Sequence, residues 1–593
     1  MTPHDEFHLA AAARQEMIEQ GFQPDFPAEA EQQLAGIHPQ PDHSLRDLTS
    51  LLWSSIDNDD SRDLDQIEWA ERVAGGIRVL VGVADVDSAV AKGTPIDRHA
   101  AREATTVYAE VRTFPMLPER LSTDLTSLNE AQDRAAVVLE FVVAADGSVN
   151  ASSVYRALVR NHAQLTYSGV GAWLEATAPA PPKVAASADL QAQLKLQDQA
   201  AAALREARHR LGALTFDRTE AQPVIANGNV QEITTRQSNR AAHLIEDFMI
   251  AANEVMARTL RAAGVSSIRR IVKAPERWPR MVEVARQCGD TLPPSPDSGA
   301  LNAFLLRRKQ ADPLHYADLS LAMLKLMGPG EYVLLRPGDP EEGHFGLAAH
   351  DYTHSTAPNR RFADLLTERL LKALPGKPYT DEELDAIARN CTLKEDAARK
   401  VRRNMDKRMA AAALHDRVGQ SFQAVVTGVT PKGVFVRVLG PPVEGRLMHG
   451  EQGLDVGDRV NVKLLSTDPQ RGFIDFGRQW CAAIWNCCGM QWRRWRTGPA
   501  RRCAAPPRGS RDSRRRPARA RPARFWRTWA ISSTGRSCCV TAATRGTILP
   551  CCRGRKEWRG SSRPWRHSTA GWPPASPRGS RRSGSSRVPS PTR

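Results

Sequence analysis

The chain has 593 residues, 41% of them hydrophobic and 25% charged, with a formal net charge of +16; that length holds about two to four domains with full cores. It lacks an apolar run long enough for a membrane helix. Its start, Met1-Thr-Pro-His, has neither the basic nor the apolar region of a secretory leader, so a cytoplasmic protein is expected. The charge is unevenly placed. From Gln479 onward there are 26 Arg, one Lys and two acidic residues, a balance of +25, which leaves −9 for the first 478 residues. A nucleic-acid argument from net charge would therefore rest on the tail alone. Only Cys288 and Cys391 precede the tail, and no C-x-x-C pair suggests zinc or redox chemistry.

In chain order, residues 1–45 read as one or two short helices and a Pro/His-rich linker. From Leu48 the pattern is mixed α/β. The apolar runs Ile77–Asp85 and Val137–Val143 predict buried strands. Two long helical stretches follow, and in the second Leu244, Ile245, Phe248, Met249, Ala252, Val255 and Met256 share one face at i, i+3, i+4 spacing. Further helices are predicted over 313–327 and 359–374, and a heavily charged one over 381–417. The period then changes to two. Five short strands, starting near Phe422, Gly433, Val443, Asp458 and Gly472, are separated by turn residues and predict a small OB-type barrel.

The remaining residues, 478–593, show neither period. Their Arg, Pro, Ser, Trp and Cys bias suits disorder. True basic arms mix Lys with Arg, so the composition favours an out-of-frame reading of a GC-rich gene over a functional RNA-binding arm.

The segment with most chemistry is Ser55-Ile56-Asp57-Asn58-Asp59-Asp60-Ser61-Arg62-Asp63-Leu64-Asp65-Gln66. Its five aspartates repel one another, and hard divalent cations such as magnesium are the common remedy. A solvated acidic loop is the alternative. If Asp63-Leu64-Asp65 is extended, both carboxylates share a face while Leu64 points to the core. Asp57 could join them across the turn, and three such carboxylates could hold ions that activate water and offset charge on a phosphodiester. An EF-hand spacing also exists, through Asp57, Asp59, Ser61, Asp63, Asp65 and Glu68. Arg62, however, occupies the position where that loop requires glycine, and the flanks read as strands.

The same segment resembles the signature of the ribonuclease II (RNB) family of exoribonucleases. The resemblance continues through Val83-Ala-Asp-Val86, Phe114–Ser122, Leu125-Thr-Ser-Leu128, Ile245–Asn253, His344-Phe-Gly-Leu and Tyr352–Asp364. It covers about residues 46–375, and the strands from Phe422 look like the S1-type OB domain that ends these enzymes. It implies an α/β (α+β) catalytic domain over 46–375, a charged connector over 376–418 and an S1-type barrel over 419–477.

The resemblance further implies a magnesium-dependent 3′→5′ exoribonuclease that hydrolyses single-stranded RNA to nucleoside 5′-monophosphates. Asp57, Asp63 and Asp65 would be the magnesium ligands, and Arg360 the arginine that grips the scissile phosphate. Tyr108, Tyr167 and Phe216 match aromatics that stack on RNA bases. His350 and His354 receive no role. Single-stranded RNA is the implied partner, and a monomer with no membrane association is expected.

Two departures stand out. The family motif usually ends in two aspartates, but Asp65 is followed by Gln66, which can accept a hydrogen bond without adding charge. Its alternative consequence is an RNA-binding protein of weakened catalysis. Some 45 residues precede the catalytic domain, too few for the family's paired cold-shock domains, so weaker and less processive binding to long RNA is expected.

Overall fold

A computed structural model describes residues 9–479, apart from 39–41, 43, 217–219, 227–228, 237, 314–315 and 341. The anomalous tail, 480–593, lies outside the described residues. Helices α1 (Leu9–Glu19) and α2 (Ala28–Ala35) open the chain, as expected. The central sheet is then built from β1 (Arg46–Asp47), β2 (Trp53–Asp57), β3 (Gln66–Val73) and β4 (Gly76–Ala84). Helix α3 (Pro95–Glu103) and a small hairpin of β5 (Val107–Tyr108) and β6 (Thr113–Phe114) lead to β7 (Asp133–Val143) and β8 (Val149–Thr166).

Strand order is β1-β8-β2-β3-β4-β7, and β8 also pairs with β7. The long β8 pairs antiparallel with β7 along its first part and parallel with β2 along its last, where Asp57 registers with Thr166. It thereby joins the two ends of the sheet. The predicted strands over 77–85 and 137–143 are β4 and β7. β4 is buried from Val79 to Ala84 and β7 from Ala136 to Leu139, as continuous apolar runs require.

Helices α4 (Tyr167–Leu174), α5 (Pro182–Ala185), α6 (Ala188–Arg210) and α7 (Arg240–Ala262) follow, with the hairpin β9 (Glu220–Ala226) and β10 (Asn229–Arg236) between the last two. The apolar face expected on α7 is buried in one core with Trp53, Ile67, Val79 and Phe141 of the sheet. A helical lobe of α8 (Trp278–Gln287), α9 (Ser298–Ala311) and α10 (Tyr316–Leu326) has its own core around Trp278, Phe304 and Met323. It lies between β11 (Ser267–Val272) and β12 (Gly330–Leu335).

The helix expected from 359 begins later, as α11 (Phe362–Lys372). The reason is tertiary: the Asn359 N–H is spent on the carboxylate of Asp65, 294 positions earlier, and Arg361 N–H bonds Ala357 O, so 357–361 is a turn. Helix α12 (Asp381–Ala413) is opened by a capping box of Thr380 and Glu383 and runs to the second domain. There β13 (Ser421–Thr430), β14 (Gly433–Val438), β15 (Glu444–His449), β16 (Arg459–Asp468) and β17 (Phe473–Arg478) form a closed barrel. Its interior is Val426, Val436, Val462, Leu464 and Phe476, the inward set of period-two strands. A Cβ on Gly445 would stand 2.5 Å from the Phe476 ring, so glycine permits that close crossing. Among the described residues no helix is long and apolar enough to cross a membrane.

Candidate active site

Asp57 ends β2, and its Oδ1 accepts the Asn58 N–H at 2.7 Å. The chain then loops to Gln66, the first residue of β3. Residues 61–65 join no ladder; Ser127 and Leu128 hold them instead. Leu64 N–H donates to Ser127 Oγ at 3.0 Å, Leu64 O accepts from Leu128 N–H at 3.0 Å, and Ser127 Oγ donates to Arg62 O at 2.9 Å. Leu64 is 1% exposed in the sheet core. This anchoring sets Asp63 and Asp65 on either side of a buried leucine.

The two carboxylates meet different partners. Asp65, 2% exposed, accepts the Asn359 N–H at 3.0 Å and Arg360 Nε at 3.3 Å. Asp63 accepts the Tyr108 hydroxyl at 2.9 Å. Arg360 and Tyr108 approach together because the 357–361 turn is stitched to residues 105–106: Thr106 N–H donates to Arg360 O at 2.9 Å, and Thr105 bridges Arg361. The Arg361 guanidinium is turned away to Asp364 at 2.7 Å, and the other Asp364 bond goes to Ala357 N–H at 2.8 Å. Arg360 thus remains the outward member of the pair, with its side chain 45% exposed.

Burial pushes the Asp65 carboxyl up to about 7; the Arg360 charge opposes the rise and Asp63 adds to it. Burial also raises Asp57, against the Asn58 hydrogen bond and Arg360, with Asp63 again adding to the rise. The cluster therefore carries like charge that Arg360 only partly offsets. Its donors are hard oxygens, which suit a cation such as magnesium in charge and chemistry. Among the described residues, however, no three His, Cys, Asp or Glu side chains converge closely enough to form a ready metal site. Asp63 is drawn toward Tyr108 and Asp65 toward Asn359 and Arg360.

Asp63 and Tyr108 line one cleft of about 1280 Å³, with Arg112, Arg120 and Arg402 on its walls and the segment after α1 at its rim. The other two aromatics lie elsewhere. Tyr167 opens α4, one residue beyond the partner of Asp57, and shares a cavity of about 600 Å³ with Phe216, Asn239, His243, Glu246 and His344. The structure thus pairs Tyr167 with Phe216 and Tyr108 with the carboxylates. His350 is exposed. His354 is half-buried, and its Nδ1 lies 2.6 Å from the Tyr332 hydroxyl. Burial and the nearby Arg361 hold that imidazole neutral.

Some residues of the site were not assigned from sequence. Asn359 clamps Asp65 through its backbone, and its Oδ1 accepts from Thr126 Oγ1 at 2.6 Å. No side-chain pattern announces a backbone donor. Glu68 entered only as an EF-hand ligand, yet it is fully buried in β3, and neither carboxylate oxygen has a hydrogen bond. Burial, then the Asp57 charge, pushes its carboxyl well above the usual range, so it is held neutral. That placement, with strands on both sides of the loop, removes the EF-hand reading. Gln66 is buried at the start of β3, in register with Val83.

A family model for the RNB domain matches residues 45–377. The chain belongs to the RNB family. A second model, the RNase II-type exonuclease C-terminal S1 domain, matches residues 420–479. Ribonuclease R of Escherichia coli K12 is 30% identical over 495 residues, 76% of this chain and 60% of that protein. Ribonuclease R of Thermotoga maritima is 28% identical over 474 residues, 73% and 64% respectively. The RNB chain thus spans less than two thirds of the length of these relatives.

Among solved structures, Mycoplasma genitalium RNase R in complex with ribose-methylated single-stranded RNA has a TM-score of 0.73 at 22% identity, covering 80% of this chain and 78% of that one. Yeast Ssd1, described as a pseudonuclease, has a TM-score of 0.60 at 17% identity, covering 78% and 57%. These likenesses are of fold. The fold occurs in a ribonuclease and in a pseudonuclease, so activity has to be argued from the site.

Proposed function

We propose that this RNB protein is a magnesium-dependent 3′→5′ exoribonuclease that hydrolyses single-stranded RNA to nucleoside 5′-monophosphates. The observation that carries the reading is the contact of Arg360 with buried Asp65 beside a cleft that also exposes Asp63 and Tyr108. Asp57, Asp63 and Asp65 would hold the ion, which when bound would lower the pKa of attacking water and offset charge on the phosphate.

The chain's own groups do the rest. Asp65 holds Arg360 through Nε while the side chain stays 45% exposed, so its guanidinium fork could grip a phosphate and stabilise charge developing on it. Tyr108 offers a ring face at the cleft, and Tyr167 with Phe216 offers a second place for a base. The test is magnesium-dependent shortening of a 5′-labelled single strand, abolished in Asp65→Asn.

A second reading is favoured by Gln66. With one carboxylate fewer, the protein would bind RNA and cleave it poorly, as the existence of a pseudonuclease on this fold allows. Retained binding without shortening would establish that reading instead.

A further inference from the structure

The candidate site joins two distant segments, 57–65 and 357–361, and residues 126–128 touch both. Ser127 and Leu128 hold Arg62 and Leu64 of the first. Thr126, itself buried, reaches the second: its Oγ1 lies 2.6 Å from Asn359 Oδ1 and 2.9 Å from Leu121 O. A hydroxyl carries one proton. Leu121 O already accepts the Thr126 N–H at 3.0 Å, closing the π-helical turn Leu121–Leu125, so the hydroxyl proton is left for Asn359. The Asn359 side chain has nowhere else to turn. It is buried, and its Nδ2 has no hydrogen-bond partner among the described residues.

The contact that this bond serves is a loose one. Arg360 Nε stands 3.3 Å from Asp65 Oδ2, where a strong charge-assisted bond is about 2.7–2.9 Å long. Asp65 is the one carboxylate that pairs with Arg360 among the described residues, and its other oxygen takes the Asn359 N–H. The peptide that ends at Asn359 therefore decides how Asp65 sits, and with it the guanidinium. The other anchors of the turn are Thr106 N–H to Arg360 O at 2.9 Å and Arg361 N–H to Ala357 O at 3.0 Å. Both fix backbone, and neither touches the Asn359 side chain. Among the described residues that task falls to the Thr126 hydroxyl.

We propose that Thr126 is a positioning residue: through Asn359, its hydroxyl sets the Asp65–Arg360 pair for the reacting phosphate. This role rests on the RNA-degrading reading above and belongs to a group that touches neither RNA nor cation. Without the hydroxyl, a buried amide is left with no partner on either atom, and the turn must shift to find one. That shift draws the Asn359 N–H off Asp65. A guanidinium that wanders still binds a phosphate, but it stabilises developing charge less well. The loss should fall on kcat and spare KM.

The test pairs two measurements on the full chain. One is steady-state kinetics on a short 5′-labelled single-stranded RNA with magnesium; the other is amide hydrogen exchange of the 357–361 segment, without RNA or magnesium. Thr126→Val keeps the branched shape and removes the hydroxyl. It should lower kcat about tenfold, with KM unchanged to within about twofold. It should also speed exchange of the Asn359 and Arg360 amides about tenfold. Thr126→Ser should restore both. In an Arg360→Ala background the same substitution should cost less than about twofold, because the pair that it sets is already broken. Thr367→Val removes a buried hydroxyl that bonds Ala363 O within α11, and should match wild type.

Unchanged kcat in Thr126→Val, a loss carried by KM, or failure of serine to restore it would each overturn the role. So would an undiminished loss in the Arg360→Ala background, or an equal loss in Thr367→Val. Exchange separates the two claims. If the wild type shortens no RNA, the nuclease reading fails, and Thr126 is then judged on exchange alone: faster in valine and restored in serine, or unchanged and refuted. If RNA is shortened while Thr126→Val leaves kcat and exchange as in wild type, the positioning role fails by itself.

Discussion

The barrel and the catalytic sheet solve opposite problems. Every strand partner in the barrel lies within residues 421–478, its interior is apolar, and the half-buried carboxylate of Glu444 is matched by Lys325 and Thr427. The RNB domain buries carboxylates that are only partly matched. Asp65 rests on Asn359 and Arg360, 294 and 295 positions away, and the Glu68 carboxylate has no hydrogen bond. Glu368 keeps one carboxylate oxygen unbonded beside Asp85 and Lys372. Packing of apolar surface holds the barrel together. In the sheet, the same packing is made to hold like charges in place, at a cost that a polar site requires. The difference teaches where chemistry can reside: the barrel spends its apolar interior on its own packing, and only the sheet stores charge that a phosphate or a cation would relieve.

The largest effect should come from the stored charge. Asp65→Asn keeps the size of the side chain but removes the charge that fixes Arg360, and should lower the rate of RNA shortening by about 10³-fold or more, with RNA affinity retained. Loss of binding together with rate would make Asp65 a structural residue. The barrel should respond in the reverse sense. Phe476 is fully buried and stacks edge-on with Phe422 at 6.3 Å. Phe476→Ala should destabilise the barrel by about 3–4 kcal/mol and weaken long-RNA binding, yet leave hydrolysis of a four-nucleotide RNA intact. If both activities fall together, the two regions are one energetic unit.

Acid should also separate the regions. His99 in α3 is buried against the Phe26 ring at 4.4 Å, and burial lowers its pKa to about 4, against the Glu103 charge and with Arg102 assisting. The unfolded chain, with an ordinary histidine, binds the proton first. Stability from this group is therefore full above about pH 6.5 and is lost as pH falls toward 4, by about 3 kcal/mol. Burial lowers His344 in the same direction. The expected outcome in calorimetric melts is a falling transition between pH 6.5 and 5, flattened by His99→Asn. An unchanged slope in that variant would place the acid sensitivity elsewhere. Arg360→Lys should follow, at about 10- to 100-fold in kcat with little change in melting temperature, because an ammonium keeps the charge but not the fork. A loss carried entirely by KM would assign Arg360 to ground-state binding.

How much of this was legible in sequence follows the same division. The barrel could be read because period two survives in Phe422–Val429 and Gly433–Leu439, and local pairing does the rest. The buried strands β4 and β7 and the apolar face of α7 could be read for the same reason. The first turn of α11 could not: Asn359 and Arg360 follow a helical pattern in sequence, but tertiary bonds to Asp65 hold them in a turn. Strand β8 escaped notice because its parallel partner, β2, lies about a hundred residues earlier. The grouping of Asp63 with Tyr108, and of Tyr167 with Phe216 in a separate cavity, likewise depends on contacts with no local signature.

Gln66 gives the smallest effect and the sharpest test, because its sign depends on the cation. The side chain is buried next to Asp65, whose carboxyl is already raised by burial. In the absence of a divalent ion, Gln66→Asp adds a fourth like charge with no new partner. That should cost about 1 kcal/mol and lower the melting temperature by about 2 °C. With saturating magnesium the added oxygen becomes a further hard donor, so the same substitution should raise the melting temperature above that of wild type, by linkage to tighter binding. A crossing of the two melting-temperature curves as magnesium is added is the expected outcome. Parallel curves would mean that position 66 does not face the ion, and that glutamine there costs the protein nothing.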